Sequence, residues 1–269
     1  MNSNKPQILL TNDDGILSPG LWAAAAALEE IGYVHVVAPR EQSSGMGRSM
    51  PNTSDGIIEP QQVIVNEREW TVYAIGGTPA QAVLHGIFEI MPRKPDLVVA
   101  GINYGENLGL GITVSGTVGA ALEGAASGIP ALAVSLETAL EQHLSYSEEV
   151  DFTAAAYFTA HLGKLFMERK FPADVKVLKV DLPEEATPQT PWEVTYLSPV
   201  RMFDAVPPQR KSWDEPAKVG YRFSNQFHTA PVGSDIHTVR IKRRVSVTPL
   251  SLDLTARADF SAIEATLRD

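Results

Sequence analysis

Hydrophobic residues along this chain fall into short unbroken runs, each closed by polar or glycine-rich residues, and the runs alternate with stretches of helical spacing. The first run, Ile8-Leu9-Leu10, ends in Thr11-Asn12-Asp13-Asp14-Gly15. Such a run fits a strand buried on both faces, which delivers polar side chains to the carboxyl edge of a parallel sheet. Ser18 and Pro19 then open a helix through Leu21 and Leu28 that stops at Gly32, and residues 33–38 form a second strand. Strand, helix, strand is a βαβ unit, whose crossover is right-handed in nearly all known cases. The polar loop 39–50 leaves the second strand at the same edge as Asp13 and Asp14.

Residues 63–65 and 71–75 read as a hairpin laid against the sheet. Thr78 starts a helix with Pro79 in its first position and Val83, Leu84, Ile87 and Phe88 at helical spacing. A third buried strand at 97–100 runs into the glycine-rich loop 101–109, and a helix follows from near Ser115 to Gly128. A fourth strand at 131–135, a long helix at 147–169 and a fifth strand at 175–180 complete an α/β core, residues 1–183. From 184 to 231 prolines recur and apolar runs are short, so this stretch reads as a β-rich arm or hairpin that packs on another subunit or back on the sheet. A strand at 238–247 and a helix at 259–267 return the remaining residues, 232–269, to the core.

With 269 residues, 44% of them hydrophobic and 20% charged, the composition is that of an ordinary soluble protein. A formal net charge of −10 argues against a nucleic-acid duplex as partner, because binding one rests on basic surface that neutralises phosphates. The absence of cysteine excludes disulfides, thiolate zinc sites and a cysteine nucleophile. Residues 1–6 carry no apolar segment of a secretory signal, which makes the cytoplasm the default. The most apolar window, 117–136, is interrupted by Glu123 and Pro130 and is no membrane span.

The candidate chemistry gathers at the strand ends. Asp13 and Asp14 repel each other unless solvated, protonated or bridged by a cation, and a hard divalent ion such as Mg²⁺ or Mn²⁺ bridges them. The same residues also serve an ordinary strand-to-helix turn. Ser43 and Ser44 on the second loop, and Asn103 and Asn107 on the third, add oxygen ligands of the kind Mg²⁺, Mn²⁺ or Ca²⁺ takes. The six histidines show no paired spacing near these loops and read as surface or core residues. Ser115-Gly116-Thr117 opens a helix whose bare N–H groups suit a phosphate, although a capped, closely packed helix needs the same small residues. A Walker A sequence, a Gly-x-Gly-x-x-Gly fingerprint and a Gly-x-Ser-x-Gly elbow are all absent, and the adjacent aspartates do not alternate as in haloacid-dehalogenase-type phosphatases.

Eight segments together carry a resemblance. They are residues 8–15, Val37-Ala38-Pro39 with Ser44-Gly45, Gly76-Gly77-Thr78-Pro79, residues 95–103, Asn107-Leu108-Gly109, residues 115–121, residues 130–135, and Val245-Ser246-Val247-Thr248-Pro249-Leu250. In this order, over almost the whole length, they resemble the SurE family of stationary-phase survival proteins, metal-dependent 5′- and 3′-nucleotidases. The resemblance implies a Rossmann-like, mostly parallel sheet flanked by helices, with a C-terminal arm exchanged in a homodimer or homotetramer. It also implies a metal held by Asp13, Asp14, Ser44 and Asn103, Ser44 being preferred to Ser43 because it directly precedes Gly45. On that basis one Mg²⁺ or Mn²⁺ per subunit serves the hydrolysis of nucleoside monophosphates or other small phosphate esters. Asp13 and Asp14 act at the reacting centre, Asn12 and Asn107 orient phosphate or carboxylates, and the N–H groups of Ser115, Gly116 and Thr117 stabilise phosphoryl charge. The alternatives are a non-catalytic nucleotide- or phosphate-binding module and a broad acid phosphatase or exopolyphosphatase. The chain departs from the family at Arg243-Arg244, where Gly-Tyr is usual, with a preceding strand one residue longer, and at Gln81-Ala82, where Asp-Cys is common.

Overall fold

The computed structural model describes residues 5–143, 146–147 and 149–268. Residues 1–4, which read as lacking a signal, and Glu148, which reads as part of the long helix, lie outside the described residues. The first half contains β1 (Gln7–Thr11), α1 (Pro19–Leu28), β2 (Tyr33–Pro39), β3 (Ile58–Val65), β4 (Arg68–Ile75), α2 (Pro79–His85), β5 (Leu97–Tyr104) and α3 (Gly116–Ala126). The second contains β6 (Ala131–Leu136), α4 (Thr153–Glu168), β7 (Val177–Leu182), β8 (Trp192–Val194), β9 (Phe203–Val206), β10 (Gly220–Phe223), β11 (Val245–Leu250) and α5 (Phe260–Arg268).

Among the described residues, nine strands form one sheet in the order β3-β4-β2-β1-β5-β6-β7-β11-β8. From β4 through β7 all neighbours are parallel; β3 and β11 run antiparallel to β4 and β7. This is the expected α/β architecture. Every residue of β5, β6 and β7 is buried, which explains their continuous apolar runs. One face packs against α1 and α4 through Leu21, Leu28, Phe158 and Leu162, the other against α2 and α3 through Val83, Val118 and Ala121.

Several boundaries differ from the sequence reading, each for a local reason. The hairpin β3–β4 is longer than expected and joins the sheet, because β4 pairs in parallel with β2. The helix at Thr78 begins as expected, with a capping box between Thr78 and Gln81. It passes into a π-helical turn at Gly86–Ile90, which turns Phe88 out to 75% exposure. The long helix starts at Thr153, where the Asp151 carboxylate accepts a hydrogen bond from the Thr153 N–H at 2.9 Å. The last strand starts at Val245; His237–Ile241 is a π-helical turn that buries Thr238 and Val239 and brings Arg240 onto Glu106 and Glu137.

The departures from the family pattern make definite contacts. Gln81 donates to the Pro51 carbonyl at 2.9 Å and accepts from Ser54 at 2.7 Å, tying the 49–54 segment to α2. Arg243, at φ +53°, pairs with Glu137 and Glu185, and Arg244 pairs with Glu193. The arm divides in two. Its β8 extends the main sheet beside β11, while β9 and β10 form a separate antiparallel ribbon. Met202, Ala230, Ile236 and Val239 bury a small satellite core around Leu108, so the ribbon's base is seated on the loop that follows β5.

An irregularity in β5 sets the faces on which its last residues lie. Its register on β6 runs Ala100 to Ala133 and then Asn103 to Ser135, so three steps on β5 match two on β6. Gly101 lies at φ +136°, and a Cβ there would stand 2.4 Å from the Val134 carbonyl oxygen. The extra residue reverses the faces: Val98 and Ala100 pack on the α2/α3 side, whereas Ile102 and Tyr104 pack on the α1/α4 side.

Candidate active site

The carboxyl end of β1 passes into a turn built by Asn12. Its amide nitrogen donates to the Gly15 carbonyl at 3.0 Å and its amide oxygen accepts from the Gly15 N–H at 3.1 Å. Both ends of the Asn12 side chain are thus spent on the turn. Asp13 and Asp14 follow, 3% and 1% exposed. Asp13 accepts a 2.5 Å hydrogen bond from the Thr117 hydroxyl, and the N–H groups of Gly116 and Thr117 also face its carboxylate. The α3 N-terminus therefore cradles a protein carboxylate directly. Glycine is required at position 116 because a Cβ there would lie 2.8 Å from an Asp13 carboxylate oxygen. Asp14 accepts from the Tyr104 N–H at 3.2 Å and from the Gln42 amide at 3.4 Å, and its carbonyl accepts from the Tyr146 hydroxyl at 2.8 Å.

Burial pushes the Asp13 carboxyl above its ordinary range, against the hydrogen bonds that favour the anion. Asp14 is pushed well above, by burial first and then by the charge on Asp13. Among the described residues neither aspartate forms an ion pair, and no group of three His, Cys, Asp or Glu side chains is arranged to hold a metal. A cation here would be held by two carboxylates and completed by neutral oxygens.

Those oxygens come from the neighbouring loops. The buried Ser43 donates its N–H to the Asp13 carbonyl at 2.7 Å and its hydroxyl to the Glu41 carbonyl at 3.2 Å, which leaves the exposed Ser44 to face the cleft. Asn103 donates its amide nitrogen to the Tyr104 and Gly105 carbonyls at 3.0 and 2.6 Å, so its amide oxygen is the end left for a ligand. Asn107 donates to the Ser135 hydroxyl at 2.9 Å, and Ser115 caps α3 by accepting from the Val118 N–H at 3.1 Å. A cleft of 780 Å³ is lined by Asp13, Ser44, Asn103, Asn107 and Ser115, while Asn12, Asp14, Gly116 and Thr117 stand behind it. Two buried carboxylates with serine and carboxamide oxygens fit a hard divalent cation.

The sequence reading missed the supports. Gln42, Tyr104 and Tyr146 hold Asp14 but belong to no motif. His143, read as a surface or core residue, lines the cleft. A buried ionic group under the loop was also missed: Lys179 pairs with Asp181 and, at 3.2 Å, with Asp235, all three fully buried. Lys179 donates to the Asn107 carbonyl at 2.8 Å, Asp181 accepts from the Asn107 N–H at 2.8 Å, and Asp235 accepts from the Gly109 N–H at 2.9 Å. Burial lifts Asp181 to about 6 in spite of Lys179.

Glu106 lies on the same loop, and burial lifts its carboxyl from 4.5 to about 8 against the pull of Arg240. A carboxyl whose folded pKa exceeds its unfolded one contributes stability that is fully present below the unfolded value and is lost as pH rises through the folded value. Glu106→Gln should therefore flatten the decline in melting temperature between pH 4.5 and about 8. Thermal unfolding across that range tests it, and an unchanged slope in the variant would refute it.

A family model described as "Survival protein SurE" matches residues 8–203. A protein from Methanocella arvoryzae named 5′-nucleotidase SurE is 40% identical over 271 residues, covering 98% of each chain. One of the same name from Thermococcus gammatolerans is 41% identical over 263 residues, 97% of this chain and 96% of its own. A crystal structure of the SurE protein from Aquifex aeolicus superposes with a TM-score of 0.72 at 32% identity, over 98% of this chain and 100% of that one. With the strand-end aspartates, the loop oxygens and the sheet order in the same chain as these full-length matches, the protein belongs to the SurE family.

Proposed function

We propose that this protein is a metal-dependent nucleotidase that hydrolyses nucleoside 5′- and 3′-monophosphates to nucleoside and phosphate. The observation that carries the reading is the adjacent, buried pair Asp13 and Asp14, without an ion-pair partner among the described residues, with Asp13 lining a cleft and Asp14 next to it in the chain. The relatives named 5′-nucleotidase support the activity. One divalent ion per subunit, Mg²⁺ or Mn²⁺ by the hardness of the donors, would be held by Asp13, Asp14, Ser44 and Asn103. When bound, it supplies positive charge against the phosphoryl oxygens and acidifies the attacking water.

The chain's own groups do the positioning. Thr117 and the α3 N-terminus fix Asp13, and the Tyr104 N–H fixes Asp14, so neither carboxylate has to reorganise as charge develops. Asn103 presents its amide oxygen because its nitrogen is already engaged. Ser115 and Asn107 line the cleft where they can donate to a phosphoryl oxygen, and Asn12 acts by shaping the turn.

Assembly as a homodimer or homotetramer belongs to the same proposal. The β-rich arm, residues 184–231, is the element that would carry it, and the closing helix α5 beyond it buries none of its residues, leaving Phe260, Ile263 and Leu267 exposed. No helix among the described residues is long and apolar enough to cross a membrane.

The test is phosphate release from AMP and 3′-AMP by metal-stripped protein. No release is expected in EDTA, and Mn²⁺ or Mg²⁺ should restore it. The same ion should raise the melting temperature, by about 2.7 kcal/mol of stability at a hundredfold excess over its Kd. Metal and AMP binding without release would establish the non-catalytic module instead, and faster turnover of polyphosphate than of AMP the exopolyphosphatase.

A further inference from the structure

The cleft that begins at Asp13 is much larger than a phosphate needs, and its far end is aromatic. Phe203 on β9 and Tyr221 on β10 line it together with His143, which precedes the described part of the segment leading to α4. The Phe203 and Tyr221 rings meet edge to face with centroids 5.6 Å apart, and His143 lies nearly parallel to Tyr221, at 21° and 6.3 Å. Tyr221 is 48% exposed, so its ring is open to a partner. The group is braced from behind: Phe203 packs on Phe223 at 5.1 Å, and the Arg240 guanidinium covers Phe223 at 5.1 Å while pairing with Glu137 and Glu106. A phosphoryl group alone does not call for the apolar faces of Phe203 and Tyr221. At 780 Å³ the cleft is of the size that holds a small organic molecule.

We propose that His143, Phe203 and Tyr221 form the seat of the nucleobase, a stacking platform that gives nucleotides an advantage over phosphate esters lacking a base. The assignment rests on the nucleotidase reading and deepens it. Two features commit it to a base. The rings share one cleft with Asp13 and Asn103, so a molecule held by its phosphate at one end extends towards them. The available surface is π-face and ring edge, which stacks on any base. On this reading the ribbon β9–β10, part of the stretch that the sequence assigned to packing on another subunit or back on the sheet, closes the substrate site of its own chain.

The experiment compares AMP with ribose 5-phosphate, the same ester without its base, in wild-type protein, Tyr221→Ala, Tyr221→Phe and Phe203→Leu. Wild type should prefer AMP. Tyr221→Ala should lose about tenfold in kcat/KM for AMP, chiefly through KM, and little for ribose 5-phosphate. Tyr221→Phe, which keeps the ring, should retain the preference, and Phe203→Leu should show a smaller loss confined to AMP. Equal losses on both esters, or an undiminished preference in Tyr221→Ala, would overturn the assignment. Calorimetric binding of both compounds is measured in parallel. A protein that binds AMP through these rings yet hydrolyses neither ester would overturn the nucleotidase reading and leave the seat standing.

Discussion

Replacing Asp13 by Asn should lower metal-dependent phosphate release from AMP by on the order of 10³-fold while the protein still folds. The amide oxygen of an asparagine can still accept from the Thr117 hydroxyl, so the turn and the α3 N-terminus keep their anchor. What is lost is one of two negative charges that hold the cation. Asp14→Asn should be equally inactive. In metal-free protein it should melt no lower than the parent, because it removes the repulsion between two buried carboxylates while an amide oxygen can still accept from the Tyr104 N–H. Steady-state kinetics with Mn²⁺, alongside thermal unfolding in EDTA, separates these effects. Activity within tenfold of the parent in either variant would sink the assignment.

The second large effect is on stability. Lys179→Met should destabilise the protein by about 3–5 kcal/mol, since it leaves Asp181 and Asp235 buried without their cation. At roughly 2–4 °C per kcal/mol for a chain of this size, the melting temperature should fall by about 10 °C. Combining it with Asp181→Asn should recover part of that loss, because Asp235 retains the N–H groups of Gly109, Ser198 and Ile236. A double-mutant cycle in urea measures the coupling, and strict additivity would show that Lys179 and Asp181 do not act together. The reason to expect a functional echo is geometric: Lys179 and Asp181 hold both backbone groups of Asn107, so the double variant should also show a raised KM.

How much of this was legible in the sequence depends on the range of the interactions. The parallel core was readable because strands buried on both faces are continuous apolar runs, and the aspartates stood out because the adjacent pair follows the first such run. The choice of Ser44 over Ser43 rested on the resemblance, and the structure adds a reason, since Ser43 is consumed by the Asp13 and Glu41 carbonyls. The Ser115-Gly116-Thr117 helix start was visible, but that its N–H groups turn onto Asp13 was not. Lys179 and Asp181 alternate within Val177-Leu178-Lys179-Val180-Asp181-Leu182, a pattern that ordinarily marks a solvated face. They are buried because Asp235, far along the chain, completes the group. The aromatic seat is equally non-local, as its rings come from two strands of the ribbon and a separate segment.

The bulge in β5 makes part of the site a matter of counting. Side chains alternate along a strand, so one surplus residue reverses the phase of everything after it. Asn103 looks onto the α3 side only because the reversal falls between Ala100 and itself. Deleting one residue there would restore a regular ladder, leave Asn103 itself in place in the sequence, and aim its amide at the opposite layer. Segment length therefore decides the site here as much as any side chain does, and a gap of one residue at this point would separate chains able to assemble the cleft from chains that share only its scaffold.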